Sequence, residues 1–284
     1  MTSLQAALLG VVQGLTEFLP VSSSGHLVLL PVVTGWNDQG LGFDVAAHVG
    51  SLIAVCFFLK KELVKLYSRG VTTLFPAAIY SDLRHVSSKV FRSVSERHIR
   101  DIWLLVIILL IGTGPVAIVG FLCRDVIAME LRDVHVVATT TVVFGLLLGL
   151  ADCRRGVKKL DQIKLHDVVL IGLAQCLALI PGVSRAGITM TAALFLGFSR
   201  KSSAVFSMLL AVPVIILSAI LEFNYFMEFT DVTALSDVLA VIFFSFLSAY
   251  ICINLLLKFV ERLGMLPFVL YRLFLGGLLF LFFV

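Results

Sequence analysis

A carboxylate, a row of hydroxyls, an imidazole and a guanidinium stand in this 284-residue chain inside stretches that are otherwise apolar. Gln13 and Glu17 are four residues apart, so on a helix they share a face and reach into one cavity. Ser22, Ser23, Ser24, Gly25 and His26 follow, just after Pro20, which breaks a helix begun upstream. Far along the chain, Ser184, Arg185, Gly187 and Thr189 form a second break behind Pro181. Freed N–H groups at helix starts favour an anion, and an Arg fork suits phosphate oxygens. One set of residues offers a carboxylate, a hydroxyl row and an imidazole, and the other offers a guanidinium suited to clamping phosphate oxygens. Together they suit a phosphate-bearing ligand.

Taken singly, each residue also has a plain role. A Ser at a break can satisfy its own backbone, a Glu in an apolar helix can pair helices or relay protons, and a His can be an ordinary buried imidazole. His48 is assigned to that last class, Arg200 to an interfacial anchor beside Lys201, and Arg272 to a snorkelling or structural role, with assistance to the site as its alternative. The constellation is more specific than its parts, because polar groups at membrane depth are costly unless they line a cavity.

The elements that must carry these residues repeat. GVVQGLTEFLPVSSSGH (Gly10 to His26) and GLAQCLALIPGVSRAGI (Gly172 to Ile188) match at Gly, Gln, Ser and Gly with a constant offset of 162, which places Arg185 opposite Ser23. With 60% hydrophobic and 14% charged residues, the chain lies far below the roughly 25% charge of soluble domains. It reads as an all-α integral membrane protein. Six segments are long enough to cross, near 44–59, 102–123, 134–151, 202–221, 236–257 and 265–284. The motif segments, 4–30 and 165–197, are interrupted and read as re-entrant helix pairs, with a kinked ordinary span as the alternative. FDVAAHVG (Phe43 to Gly50) aligns with FSMLLAVP (Phe206 to Pro213), so the repeat extends past the motifs. The expected halves are 1–152, with a cytoplasmic insert at about 67–100, and 153–284. Each has one re-entrant pair and three spans. Three is odd, so the second half is inverted, which gives an inverted-topology repeat of six transmembrane helices plus two re-entrant pairs.

Charge fits that topology. With both termini outside, every Lys and Arg falls in an inner segment except Arg124, Arg132, Arg185 and Arg272. Outer loops carry Asp38, Asp44, Glu222, Glu228, Asp231 and Asp237. The net charge of +4 comes from loop residues, and no nucleic-acid partner is expected. The five Cys form no CxxC pair and read as small apolar residues. No basic region precedes the first apolar stretch, so a cleaved signal peptide is not expected.

QGLTEFLPVSSSGH resembles the first signature of the BacA/UppP undecaprenyl-diphosphate phosphatases, and PGVSRAGITM resembles their second. The likeness extends through GFSRKSSAVFSMLLAVP to PFVLYRL. It implies a bacterial inner-membrane enzyme that converts undecaprenyl diphosphate to undecaprenyl phosphate, recycling the lipid carrier of cell-wall glycan synthesis, with bacitracin resistance and a homodimer as further implications. Gln13 stands where the family often has Glu, and Ala186 where it usually has Ser. Glu17 with Gln13 would hold a divalent cation, Mg²⁺ or Ca²⁺. Arg185, Ser184, Thr189, Gly187, Ser22, Ser24 and Gly25 would hold the diphosphate, while the prenyl tail stays among membrane lipid. Ser23 is the leading nucleophile with His26 as its base. His26 itself and a metal-bound water are the competitors. A secondary transporter or lipid-phosphate flippase on the same repeat is the rival function, and a structural subunit, which needs no buried charge, the third.

Overall fold

The computed structural model describes residues 2–36, 40–68, 94–123, 133–221 and 232–283. The centre of the expected insert, Arg124, Arg132 and most of the acidic outer positions (Asp38, Glu222, Glu228 and Asp231) lie outside them.

Among the described residues the chain is helical and without strands. The first half contributes α1 (Ser3–Thr16), α2 (Ser23–Thr34), α3 (Leu41–Ser68), α4 (Val94–Leu122) and α5 (Val134–Asp152). The second contributes α6 (Leu165–Gln175), α7 (Arg185–Phe195), α8 (Arg200–Leu221), α9 (Val232–Leu263) and α10 (Leu266–Phe283). Six helices are long and apolar enough to cross a membrane: α3, α4, α5, α8, α9 and α10. They coincide with the six expected spans. α1 and the Leu165–Leu179 segment are apolar but shorter.

Both short segments stop where the sequence dictates. α1 ends ahead of Pro20, and α6 tightens into a 3₁₀ turn (Cys176–Leu179) ahead of Pro181. The helices that follow start on a Ser whose hydroxyl accepts from the N–H three residues on: Ser22 from Gly25 N at 3.4 Å and Ser184 from Gly187 N at 3.0 Å. These capping serines hold positive φ, 73° and 70°, which is uncommon for a residue with a Cβ. They occupy equivalent positions in the two motifs.

Packing fixes the breaks in place. α1 lies against α9 and α3, α3 against α9 and α8, α6 against α4 and α7, α8 against α4, and α5 against both α7 and α10. Small residues permit the closest approaches. A Cβ at Gly14 would lie 2.1 Å from Ser248 Oγ, and one at Gly172 would lie 2.6 Å from Gly112 O. A core of Phe18, Phe58, Ile108, Met190, Phe206 and Leu210 joins the two halves. Large apolar side chains such as Phe121, Leu122, Phe274 and Leu281 face outward, as a lipid-facing surface requires.

Candidate active site

Glu17, at the C-cap of α1, is the hub of the site and is buried. Its Oε2 accepts from Gln13 Nε2 at 2.8 Å and from Ser23 Oγ at 2.9 Å, and its Oε1 accepts from Arg185 Nη2 at 2.7 Å. The Glu17–Arg185 ion pair therefore joins the first break to the second, 168 residues apart in the chain. Arg185 is held from behind, because its Nη1 donates to Ser207 O at 3.0 Å. Thr189 adds to that wall: its hydroxyl donates to Arg185 O at 2.8 Å and lies 2.8 Å from Ser207 Oγ.

The expected residues thus fall into two groups. Gln13, Glu17, Ser23, Arg185 and Thr189 form one connected network, while Ser22 and Ser184 serve as N-caps for Gly25 and Gly187. The side chain of Ser24 lies outside what the structure describes. His26 faces elsewhere. Its Nδ1 lies 2.7 Å from the Ser22 carbonyl, which can only accept, so Nδ1 carries the proton and Nε2 is the acceptor. Nε2 takes the Tyr271 hydroxyl, and the two rings stack with centroids 5.6 Å apart. The Ser23 hydroxyl is directed to Glu17.

Three partners were not legible as site residues. His48 on α3 bonds Asp44 O through Nδ1 at 2.7 Å and brings Nε2 to 3.7 Å from Glu17 Oε2. Its signal was a His inside an apolar span, which alone does not separate a site residue from a satisfied core imidazole. Ser207 and Tyr271 gave weaker signals still, since hydroxyls are common in membrane helices. Arg200 is more than an anchor: it forms a bidentate pair with Asp152 at 2.6 and 2.8 Å, fastening α8 to the end of α5. Arg272 does not snorkel. It is 0% exposed.

The donor set can be tested against a divalent cation. Gln13 Oε1 is buried with no hydrogen-bond partner, on the helix face it shares with Glu17. An orphaned amide oxygen beside a carboxylate suits a hard cation. No cluster of three or more His, Cys, Asp or Glu able to hold a metal occurs among the described residues. A cation held by Gln13 and Glu17 would take its remaining ligands from phosphate oxygens and water.

Long apolar helices around a buried ion pair at two helix breaks define the class: a multi-pass helical membrane protein with a polar site between its interrupted helices. The chain belongs to the family described as bacitracin resistance protein BacA, whose model matches residues 6–278. It is 42% identical over 280 residues to undecaprenyl-diphosphatase 1 of Pseudoalteromonas translucida (strain TAC 125), covering 97% of each chain. It is 46% identical over 275 residues to undecaprenyl-diphosphatase of Campylobacter concisus (strain 13826), covering 96% of this chain and 97% of that one. To undecaprenyl-diphosphatase of Hahella chejuensis (strain KCTC 2396) it is 40% identical over 277 residues, 98% and 97% of the two chains.

Proposed function

We propose that this chain is a membrane phosphatase that hydrolyses undecaprenyl diphosphate to undecaprenyl phosphate and inorganic phosphate. Family membership and the near full-length relatives support that activity. The observation that carries the assignment to a site is the Glu17–Arg185 pair with Ser23 on the same carboxylate. A transporter site has no need of a hydroxyl whose proton already points at a carboxylate.

In this reading the diphosphate enters between the breaks and the prenyl chain stays in lipid. Arg185 turns from Glu17 toward the terminal phosphoryl group, so one cation is exchanged between two anions without crossing open lipid. Ser23 Oγ attacks the terminal phosphorus as Glu17 takes its proton. The bond to the bridging oxygen breaks, and undecaprenyl phosphate leaves with the electron pair. Water then cleaves the phosphoseryl bond, releasing inorganic phosphate and restoring the hydroxyl. The direction of the Ser23 hydroxyl favours Glu17 over His26 as first base, and leaves His26, paired with Tyr271, as the second acid–base group. The first turns of α2 and α7, capped by Ser22 and Ser184, present N–H groups to phosphate oxygens. Gln13 and Glu17 would hold a Mg²⁺ or Ca²⁺ ion, which when bound neutralises diphosphate charge.

We further place this machinery in an inverted repeat in the bacterial inner membrane, with both termini outside. Exchanging the halves maps α1 on α9 to α6 on α4, and α3 on α9 to α8 on α4, while α3 with α8 and α5 with α10 map onto themselves. The matched positive-φ caps at Ser22 and Ser184 support the same symmetry. The re-entrant pairs then meet tip to tip. Phosphate release by purified protein, with Mg²⁺ or Ca²⁺ and again after chelation, tests the activity and the cation together. Metal-dependent release is expected, and release indifferent to chelation removes the cation from the mechanism.

A further inference from the structure

Arg272, on α10, spends every donor it has on backbone. A guanidinium carries five N–H groups and no acceptor. Nε donates to Thr141 O at 3.0 Å, Nη1 to Pro20 O at 3.3 Å and Val183 O at 3.0 Å, and Nη2 to Thr140 O at 3.4 Å and Gly182 O at 2.8 Å. Pro20 belongs to the first break, and Gly182 and Val183 to the second. Pro20 and Gly182 are also equivalent positions at the repeat offset of 162. Thr140 and Thr141 belong to α5.

Broken helices leave carbonyls without intrahelical donors, and in a membrane interior no bulk water replaces them. Arg272 supplies donors to both breaks at once. Among the described residues it has no carboxylate partner, so its charge is balanced by carbonyl dipoles. A cation buried this way is expensive, and Lys could offer only three donors with no planar fork. The surroundings are shaped around the fork: a Cβ at Gly187 would lie 2.8 Å from Nη1, and one at Gly145 would lie 3.0 Å from Arg272 Cβ.

We propose that Arg272 is a positioning residue that locks the two breaks in register, and so sets the relation between Glu17 and Ser23 on one and Arg185 on the other. With all five donors engaged, none remains for a phosphate oxygen. The kinetic consequence rests on the phosphatase reading above, but the geometric claim does not.

The test compares wild type with Arg272→Lys and Gly187→Ala, the latter displacing the fork while keeping its charge. Both are expected to lose about 10²-fold in kcat, the scale of an ångström-sized misplacement, with KM changed less than about threefold. Turnover of Arg272→Lys within about threefold of wild type overturns the proposal, and so does a KM that rises as far as kcat falls. An arm on wild type needs no variant to fold. With ¹⁵N-labelled arginine, inorganic pyrophosphate should shift Arg185 side-chain resonances and leave those of Arg272 in place. A shift at Arg272 shows direct contact and overturns it. If wild type releases no phosphate from undecaprenyl diphosphate, the phosphatase reading falls, and the resonance experiment still decides the geometric claim.

Discussion

Glu17 is buried and Arg185 largely so, and the two neutralise each other, so removing either strands the other. Loss of one member of a buried pair costs about 3–5 kcal/mol, much of it from the unpaired charge that remains. Arg185→Ala should therefore melt lower in detergent than the double variant Glu17→Gln/Arg185→Ala, which strands no carboxylate. A single variant that melts as high as the double would show that the pair is not coupled. Turnover should fall about 10²- to 10³-fold in Arg185→Ala, the range for losing one donor to developing charge. Ser23→Ala should lose about 10³-fold or more in kcat with little change in KM, as expected for an interaction made only in the transition state. Full rate without the hydroxyl removes Ser23 as nucleophile. Glu17, Ser23 and Arg185 were legible in the sequence because charge and hydroxyls are conspicuous among apolar residues. The direction of each hydrogen bond was not. Whether Ser23 faces Glu17 or His26 depends on side-chain rotation, and Tyr271, which takes His26, lies 245 residues away.

Six crossing helices follow from length and apolar composition alone, and the two breaks follow from Pro, so most elements could be placed before any coordinates. Their partners could not, since glycines that permit contact look like glycines that bend a chain. Gly14 and Gly277 make the contrast measurable. An added Cβ at Gly14 would meet Ser248 Oγ at 2.1 Å and Ser245 O at 2.4 Å, whereas at Gly277 it meets nothing within 4 Å. Gly14→Ala should destabilise the protein by about 1–3 kcal/mol through overpacking of α1 on α9, read as a lower melting temperature in detergent. Gly277→Ala should be neutral or slightly stabilising, because Ala is the better helix former. Equal melting temperatures for the two variants would contradict the close α1–α9 contact. Gly182 combines both constraints, with φ of 88° and a Cβ position 2.2 Å from Thr140 Oγ1. There the backbone of the second break lies directly on α5.

At the scale of the whole molecule, the proposed inverted repeat requires the ends of α5 to lie on opposite sides of the membrane. Cys123 precedes α5, Cys153 follows it, and both are exposed. In single-cysteine variants in intact cells, a membrane-impermeant maleimide should label Cys123 from outside and reach Cys153 only after permeabilisation. The reverse pattern would invert the topology, and labelling of both from one side would exclude a crossing α5. The expected orientation rests on the charge distribution, because basic residues concentrate on one side of the expected spans. Neither motif taken alone names the partner of its break, and the Glu17–Arg185 pair joins the two. The most direct test of the central claim is release of inorganic phosphate from undecaprenyl diphosphate by purified wild type and Arg185→Ala, side by side with divalent cation present. The account predicts release by wild type that is lost in the variant. No release by folded wild type, or equal release by both proteins, would contradict it.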